Sequence, residues 1–230
     1  MTKFDLILWD IDGTLLHGNG LGREAVRQSL ETVFGVGAGA GMANWSFGGK
    51  TDLFTITTVL EPYGLDAAQV QSQLATYRQA LAETMERLAP SYDVREIPGA
   101  RTLLERLTAQ DGLLHGLVTG NMQPSAHVKL RAADYDSALF PFGAFGDEST
   151  DRNQLPPLAI TRASQRAGRD IPPERVLVLG DTLMDIQAAR ATGAQVAAVA
   201  TGYDTQAELA AAQPDYLLED LTQFEELVGM

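Results

Sequence analysis

Two carboxylates one residue apart follow the first apolar run of this 230-residue sequence. The apolar run covers residues 4–9, and Asp10, Asp12 and Gly13 come directly after it. Because side chains alternate along an extended chain, Asp10 and Asp12 are expected on the same side. Two anions aimed at one point repel unless a cation or a proton lies between them, and Mg²⁺ prefers such oxygen ligands. The spacing therefore predicts a magnesium site, with an ordinary Asx turn as the alternative interpretation.

A second polar cluster follows the apolar run at residues 113–118. It consists of Thr119, Gly120 and Asn121. A hydroxyl group and free backbone N–H groups at a strand-to-helix turn suit a phosphoryl oxygen. Taken alone, the cluster is more typical of an ordinary turn with Asn in the left-handed region.

A second pair of carboxylates follows the apolar run at residues 176–179. Asp181 comes after Gly180 at the end of this run, and Asp185 lies four residues further on. This spacing is one helical turn, which places both carboxylates on one helix face. They are candidate metal ligands, while the alternative is that Asp181 only caps the next helix.

A cation is also expected, since phosphoryl transfer needs positive charge around the equatorial oxygens. Arg152 follows a weak apolar run at residues 142–145 and precedes a helical pattern, and Lys129 lies within the helix after Asn121. We expect Arg152 to fill this role, with Lys129 as the other candidate. Either side chain is equally typical of a solvated surface charge.

The elements that position these residues alternate between strands and helices. Buried strands are predicted at residues 4–9, 113–118, 142–145, 176–179 and 196–199, with an edge strand at 216–218 and a terminal helix at 221–228. Short runs rich in Val, Leu and Ile between helical patterns indicate a parallel sheet with crossover helices. The fold class is therefore α/β, with a Rossmann-like sheet.

One segment interrupts this alternation. Residues 17–96 show helical spacing without strands, including a capping box at Asp66 and Gln69 and a flexible glycine-rich stretch at 35–41. We name residues 17–96 the helical cap, and we expect residues 1–16 and 97–230 to form the core. An insertion after the first strand lies over the crevice where open α/β sheets bind ligands.

Composition limits the classes of partner. The chain has 17 basic and 30 acidic side chains, a formal net charge of −13 and no cysteine. Such a surface disfavours nucleic acid and anionic membranes, and no run approaches the ~20 apolar residues of a membrane span. With no leader pattern at the N-terminus, we expect a cytoplasmic protein, monomeric or homodimeric, without disulfides.

The ordered set of motifs resembles the haloacid dehalogenase superfamily. The set is Asp10-x-Asp12-Gly13-Thr14, then Thr119-Gly120-Asn121, a basic residue, and Gly180-Asp181-x-x-x-Asp185. The position of the inserted helices is similar to that in the phosphoglycolate phosphatase and beta-phosphoglucomutase branch. The resemblance spans nearly the whole chain and implies a Rossmann-like core with a mobile helical cap.

The resemblance also implies a role for each matching position. Asp10 resembles the nucleophile that forms an aspartyl-phosphate, and Asp12 resembles the general acid and base, whose backbone carbonyl also touches the metal. Thr119 with the amide of Gly120 or Asn121 would hold the phosphoryl group. Mg²⁺ would be bound by Asp10, Asp12 and Asp181, with support from Asp185.

The third motif departs from the family, which usually has Lys followed by Pro where this chain has Arg152 and Asn153. Arg supplies charge through a planar fork, but its reach differs from that of Lys. In the helical cap, Lys50 follows two glycines and precedes Thr51 and Asp52, as in related phosphatases. Lys50 is thus a candidate contact for an anionic substrate, with a helix entry capped by Thr51 or Asp52 as the alternative.

The leading hypothesis is a magnesium-dependent phosphatase acting on a small phosphorylated metabolite, similar to phosphoglycolate phosphatase. A phosphomutase of the beta-phosphoglucomutase type would use the same motifs. A dehalogenase is disfavoured because Asp12 and Thr14 fit the phosphotransferase pattern. A catalytically silent binding protein is the remaining alternative, since fold does not dictate function.

Overall fold

A computed structural model describes residues 3–37, 42 and 44–229 of the chain. Its strands are β1 (Leu6–Trp9), β2 (Leu16–His17), β3 (Arg95–Glu96), β4 (Leu114–Val118), β5 (Gly143–Ala144), β6 (Val176–Gly180), β7 (Gln195–Val199) and β8 (Tyr216–Leu218). Its helices are α1 (Leu21–Phe34), α2 (Asp52–Leu60), α3 (Ala67–Leu88), α4 (Ala100–Thr108), α5 (Gln123–Ala132), α6 (Leu155–Ala167), α7 (Leu183–Thr192), α8 (Gln206–Ala211) and α9 (Phe224–Val228). Residues 38–41 of the predicted glycine-rich stretch lie outside the described residues.

Six parallel strands form the main sheet in the order β5-β4-β1-β6-β7-β8. This confirms the predicted Rossmann-like α/β fold, including the weak strand at residues 142–145 and the edge strand at 216–218. The predicted terminal helix begins as a 3₁₀ turn at Leu221–Gln223 and continues as α9. Strand order reverses on either side of β1, so the crevice at the carboxyl end of β1 is the expected ligand site.

The core lies on both faces of this sheet because β1 is apolar at every position. Leu6 and Leu8 pack into one hydrophobic cluster, whereas Ile7 and Trp9 pack into the other. A strand buried on both faces needs helices above and below it. His115 lies in β4 and accepts a hydrogen bond at Nδ1 from Trp9 Nε1 (3.2 Å), so it is a packed core residue. Burial lowers the pKa of His115 to about 4.

Between β2 and β3 the described residues form the helices α1, α2 and α3, as the sequence predicts, and the capping box at Asp66 and Gln69 is present. Two short strands that the sequence did not predict join the ends of this segment. β2 and β3 form an antiparallel ribbon in which Leu16 pairs with Glu96 and His17 with Arg95. The division into core and helical cap at residues 16/17 and 96/97 stays a prediction.

The helices of the cap share an apolar interior that extends onto α5. Buried residues of α1, α2 and α3 form one cluster, to which Met122 and Val128 also belong. The helical cap is thus packed against the core next to the carboxyl ends of the strands. No helix within the described residues is both long and apolar enough to cross a membrane.

Candidate active site

The sheet places three of the predicted motifs side by side. Asp10 follows β1, Thr119 follows β4 and Asp181 follows β6, and these three strands are hydrogen-bonded neighbours. Because all three strands are parallel, their carboxyl ends meet at one edge. The predicted site residues therefore come together from distant positions in the sequence.

Three buried carboxylates form the centre of the site. One oxygen each from Asp10, Asp181 and Asp185 lies within 4.8 Å of the other two. Burial raises the pKa of Asp10 and of Asp181 above the usual range for Asp, and the neighbouring carboxylates raise both further. The side chain of Asp12 is not part of this cluster, and its Oδ2 accepts a hydrogen bond from Lys129 Nζ.

Asp181 is held in one orientation with one oxygen unpaired. Its Oδ2 accepts a hydrogen bond from Tyr203 N (2.8 Å), whereas buried Oδ1 has no partner among the described residues. A Cβ atom on Gly13 would lie 2.4 Å from Oδ2, and one on Gly202 would lie 1.7 Å away. Only glycine fits at either position. An unpaired buried carboxylate oxygen is costly unless a cation binds it, so these residues fit a divalent, oxygen-loving cation.

Asp185 is oriented by the start of α7. Its Oδ2 accepts hydrogen bonds from Thr182 N (3.1 Å) and Thr182 Oγ1 (2.6 Å), and Thr182 Oγ1 accepts one from Asp185 N. This reciprocal capping box makes Thr182 the N-cap of α7. The alternative interpretation, in which Asp181 caps this helix, is wrong.

Arg152 reaches the carboxylate cluster from a 3₁₀ turn at Arg152–Gln154. Its Nη2 lies 2.6 Å from Asp185 Oδ1 and 3.3 Å from Asp10 Oδ2. Only 3% of Arg152 is exposed. Burial opposes the charge of Arg152, but the carboxylates of Asp185 and Asp10 outweigh it and raise the pKa of the guanidinium.

Lys129 contacts the other predicted carboxylate. Its Nζ donates to Asp12 Oδ2 (2.6 Å) and to Asn121 Oδ1 (2.7 Å). Burial acts to lower the pKa of Lys129, but the Asp12 and Asp52 carboxylates raise it overall. The sequence analysis expected one of the two cations in the site, and the structure places both there, each on a different carboxylate.

The polar cluster after β4 lies beside these groups. Thr119 is fully buried, and its Oγ1 accepts a hydrogen bond from Asn121 Nδ2 (2.8 Å). The backbone after Gly120 runs against the helical cap, because Asp52 N donates to Gly120 O (2.7 Å) and Met122 N donates to Asp52 Oδ2 (2.8 Å). Burial raises the pKa of Asp52 to about 6.

A cavity of about 340 Å³ opens between these groups and the helical cap. Its core side includes Asp10, Asp12, Thr119 and Arg152, and its cap side is lined by residues 17–20, Gly22, Arg23, Val26, Phe47, Gly49, Lys50, Asp52, Leu81 and Met85. Asp10, Asp12 and Asp181 thus border a partly open cavity that lies between the two parts of the chain.

Lys50 lines this cavity, and both interpretations of its segment agree with the structure. Lys50 Nζ donates to Ser46 O (2.8 Å) and lies 5.5 Å from the centre of the Trp45 ring. Thr51 is the N-cap of α2 and accepts from Phe54 N. No described contact assigns Lys50 to a substrate, so its role stays a prediction.

The sequence analysis missed one segment, the loop Thr201–Asp204 after β7. Thr201 Oγ1 donates to Gly13 O (2.6 Å), Tyr203 N donates to Asp181, and Asp204 Oδ2 accepts from Leu183 N (2.6 Å). The loop thereby connects the first and last motifs. The position of the loop could have indicated its role. Polar residues that follow a predicted strand of the same parallel sheet lie at the same edge of the sheet as the other motifs.

Comparison with known proteins identifies the family of this chain. A family model described as haloacid dehalogenase-like hydrolase matches residues 4–193. The chain belongs to the haloacid dehalogenase-like hydrolases. It is 29% identical over 94% of its length to a phosphoglycolate phosphatase of Pseudomonas putida, 76% of which is covered. It is 24% identical over 97% of its length to the pyrophosphatase PpaX of Oceanobacillus iheyensis, 96% of which is covered.

Solved structures of this family share the fold. CbbY from Rhodobacter sphaeroides, in complex with phosphate, superposes with a TM-score of 0.68 at 23% identity, with 96% of each chain covered. A hydrolase from Pseudomonas syringae gives the same TM-score at 23% identity, covering 97% of this chain and 96% of that one. The chain is a hydrolase, and its relatives place it among the phosphatases of the family.

Proposed function

We propose that this phosphatase uses Mg²⁺ to hydrolyse a small phosphorylated metabolite through an aspartyl-phosphate on Asp10. The observation that carries the proposal is the cluster of Asp10, Asp181 and Asp185, with the unpaired Oδ1 of Asp181 beside the cavity. Mg²⁺ bound by these residues would supply positive charge between the carboxylates and the phosphoryl oxygens.

In this proposal the side chains divide one difficult displacement into two steps. A carboxylate oxygen of Asp10 attacks phosphorus, the bond to the leaving oxygen breaks, and that oxygen takes a proton from Asp12. Water then attacks the aspartyl-phosphate and gives a proton to the Asp12 carboxylate, which releases phosphate and regenerates Asp10. Thr119 and the Gly120 amide hold the phosphoryl oxygens, and Arg152 balances their charge.

The size of the cavity supports a small substrate. About 340 Å³ lies between core and cap, near the lower end of small-molecule sites, and the net charge of −13 opposes polyanions. Lys50 on the cap side favours a second negative group, so phosphoglycolate is the first substrate to test. Inorganic pyrophosphate is the second, in view of the PpaX relatives.

Phosphate release from a panel of phosphorylated metabolites tests the proposal. We expect turnover with Mg²⁺, loss of turnover with a chelator, and a hydroxylamine-sensitive label on protein quenched in acid after reaction with a radiolabelled substrate. Asp10→Asn should abolish both turnover and label while leaving the circular dichroism spectrum unchanged, because the amide keeps the shape but loses the nucleophile.

Two results would contradict the proposal. Asp10→Asn activity within tenfold of the wild type would remove Asp10 from the chemistry. An isomerised product without free phosphate would identify a phosphomutase, which uses the same residues.

A further inference from the structure

Lys129 is a buried cation for which the proposed mechanism has no use. Its side chain, on α5, is only 7% exposed. It does not reach the carboxylate cluster through any described contact and instead donates to Asp12 and Asn121. Holding an ammonium ion out of water costs several kcal/mol per ion, so the position calls for a reason.

The contacts of Lys129 converge with those of Asn121 on a single oxygen. Lys129 Nζ lies 2.6 Å and Asn121 Nδ2 lies 2.7 Å from the same Oδ2 of Asp12. No hydrogen bond between described residues reaches Asp12 Oδ1. Two donors occupy the acceptor sites of Oδ2, so a proton carried by this carboxyl group resides on Oδ1.

The free oxygen belongs to a side chain that lines the cavity. A Cβ atom on Gly18 would lie 3.5 Å from Asp12 Oδ1, which places Oδ1 next to the segment that enters the helical cap. Asp12 and Gly18 both line the cavity, and the Asp12 side chain is 28% exposed. Of the two carboxylate oxygens of Asp12, Oδ1 is the one left without a described protein donor, so it is the one available to a bound molecule.

We propose that Lys129 is a positioning residue that, together with Asn121, turns Asp12 so that Oδ1 delivers the proton to the leaving oxygen. This inference rests on the proposed function, since it takes Asp12 as the general acid. As the bond between phosphorus and the leaving oxygen breaks, the proton on Oδ1 moves to that oxygen. Asp12 is left as a carboxylate, and the ammonium group of Lys129 balances its charge.

The two buried cations then have separate tasks. Arg152 faces Asp10 and Asp185, on the side of the nucleophile. Lys129 faces Asp12, on the side of the leaving group. Losing Lys129 should therefore matter only when the leaving oxygen needs a proton.

Leaving groups of different acidity test this division. We would compare kcat/KM of wild type and Lys129→Met on p-nitrophenyl phosphate, whose leaving group departs without a proton, and on an alkyl phosphate such as phosphoglycolate. General acids contribute about 10²–10⁴ in rate. We expect a loss of about a hundredfold on the alkyl phosphate and less than about tenfold on the aryl one. Arg169→Met, which removes one of the two arginine partners of Asp5 at the opposite end of β1, should change neither.

Asp12→Asn distinguishes a failure of the inference about Lys129 from a failure of the proposed function. Suppose that Asp12→Asn lowers kcat/KM selectively for the alkyl phosphate, while Lys129→Met lowers it equally for both substrates. Lys129 then does not position the acid, and the inference is overturned. If Asp12→Asn shows no selectivity either, the acid itself is misassigned and the proposed function fails with it. Should Lys129→Met not fold, Asn121→Ala, which removes the second donor to Oδ2, takes its place under the same criteria.

Discussion

Replacing Arg152 by Met removes the only described cation in contact with the carboxylate cluster and keeps much of the side-chain volume. The guanidinium nitrogen lies 2.6 Å from Asp185 and 3.3 Å from Asp10. At an effective dielectric constant of about 20, charges at these separations attract by about 5–6 kcal/mol per pair. Desolvation of the buried ions offsets roughly half of this, and losing one partner of a buried pair costs about 3–5 kcal/mol.

Two measurements follow from this magnitude. Urea unfolding in a chelator should show Arg152→Met less stable by about 3 kcal/mol, because Asp10, Asp181 and Asp185 then repel one another without compensation. In saturating Mg²⁺, kcat with p-nitrophenyl phosphate should fall by about 10²–10³, the cost of one transition-state electrostatic contact. Arg152→Lys is the matched control, and it should retain more of both quantities.

The ranking against the other cation decides the assignment. On p-nitrophenyl phosphate, Arg152→Met should lose far more kcat than Lys129→Met. The reverse ranking would move the phosphoryl cation to Lys129. A kcat for Arg152→Met within tenfold of the wild type would show that these short contacts carry no transition-state charge.

Three further outcomes are expected. Gly202→Ala should raise the Mg²⁺ concentration for half-maximal activity at least tenfold, because its Cβ would collide with Asp181. Gly37→Ala should match the wild type, because no atom lies within 4 Å of a Cβ added there. His115 has a pKa of about 4 in the folded chain and about 6.5 in the unfolded chain, so between these pH values only the unfolded chain binds the proton. The free energy of unfolding should therefore fall by about 3 kcal/mol from pH 6.5 to pH 4. In urea unfolding at a series of pH values, His115→Gln should lack this contribution. Lys50→Ala should slow hydrolysis of phosphoglycolate more than that of a neutral phosphomonoester, and equal losses would show that Lys50 does not recognise the second charge.

The sheet could be predicted from the sequence because its signals are local. Leu6 to Trp9 are apolar at every position, which is typical of a strand buried on both faces, and Asp10 follows at the edge where such strands bind ligands. The same reasoning placed Thr119 and Asp181 correctly. Even the two-residue strand Gly143–Ala144 was visible as a weak apolar run.

What the sequence could not predict depends on contacts between distant segments. Arg152 precedes a helical pattern and Lys129 lies within another. Only the folded chain shows that they contact different carboxylates. The loop at Thr201 has no motif, because a backbone N–H group binds Asp181 and any residue except Pro provides one. For the same reason, no pattern marks Gly202 as a position where a side chain would not fit.

The ribbon formed by β2 and β3 brings the two ends of the helical cap side by side. Leu16 and Glu96, at the two ends of the segment that we name the helical cap, are paired across the ribbon. A segment inserted at this position must therefore have its first and last residues next to each other. We expect that replacing the helical cap by the corresponding helices of a relative would transfer the substrate preference of that relative. The inserted helices must then present an apolar face to Met122 and Val128.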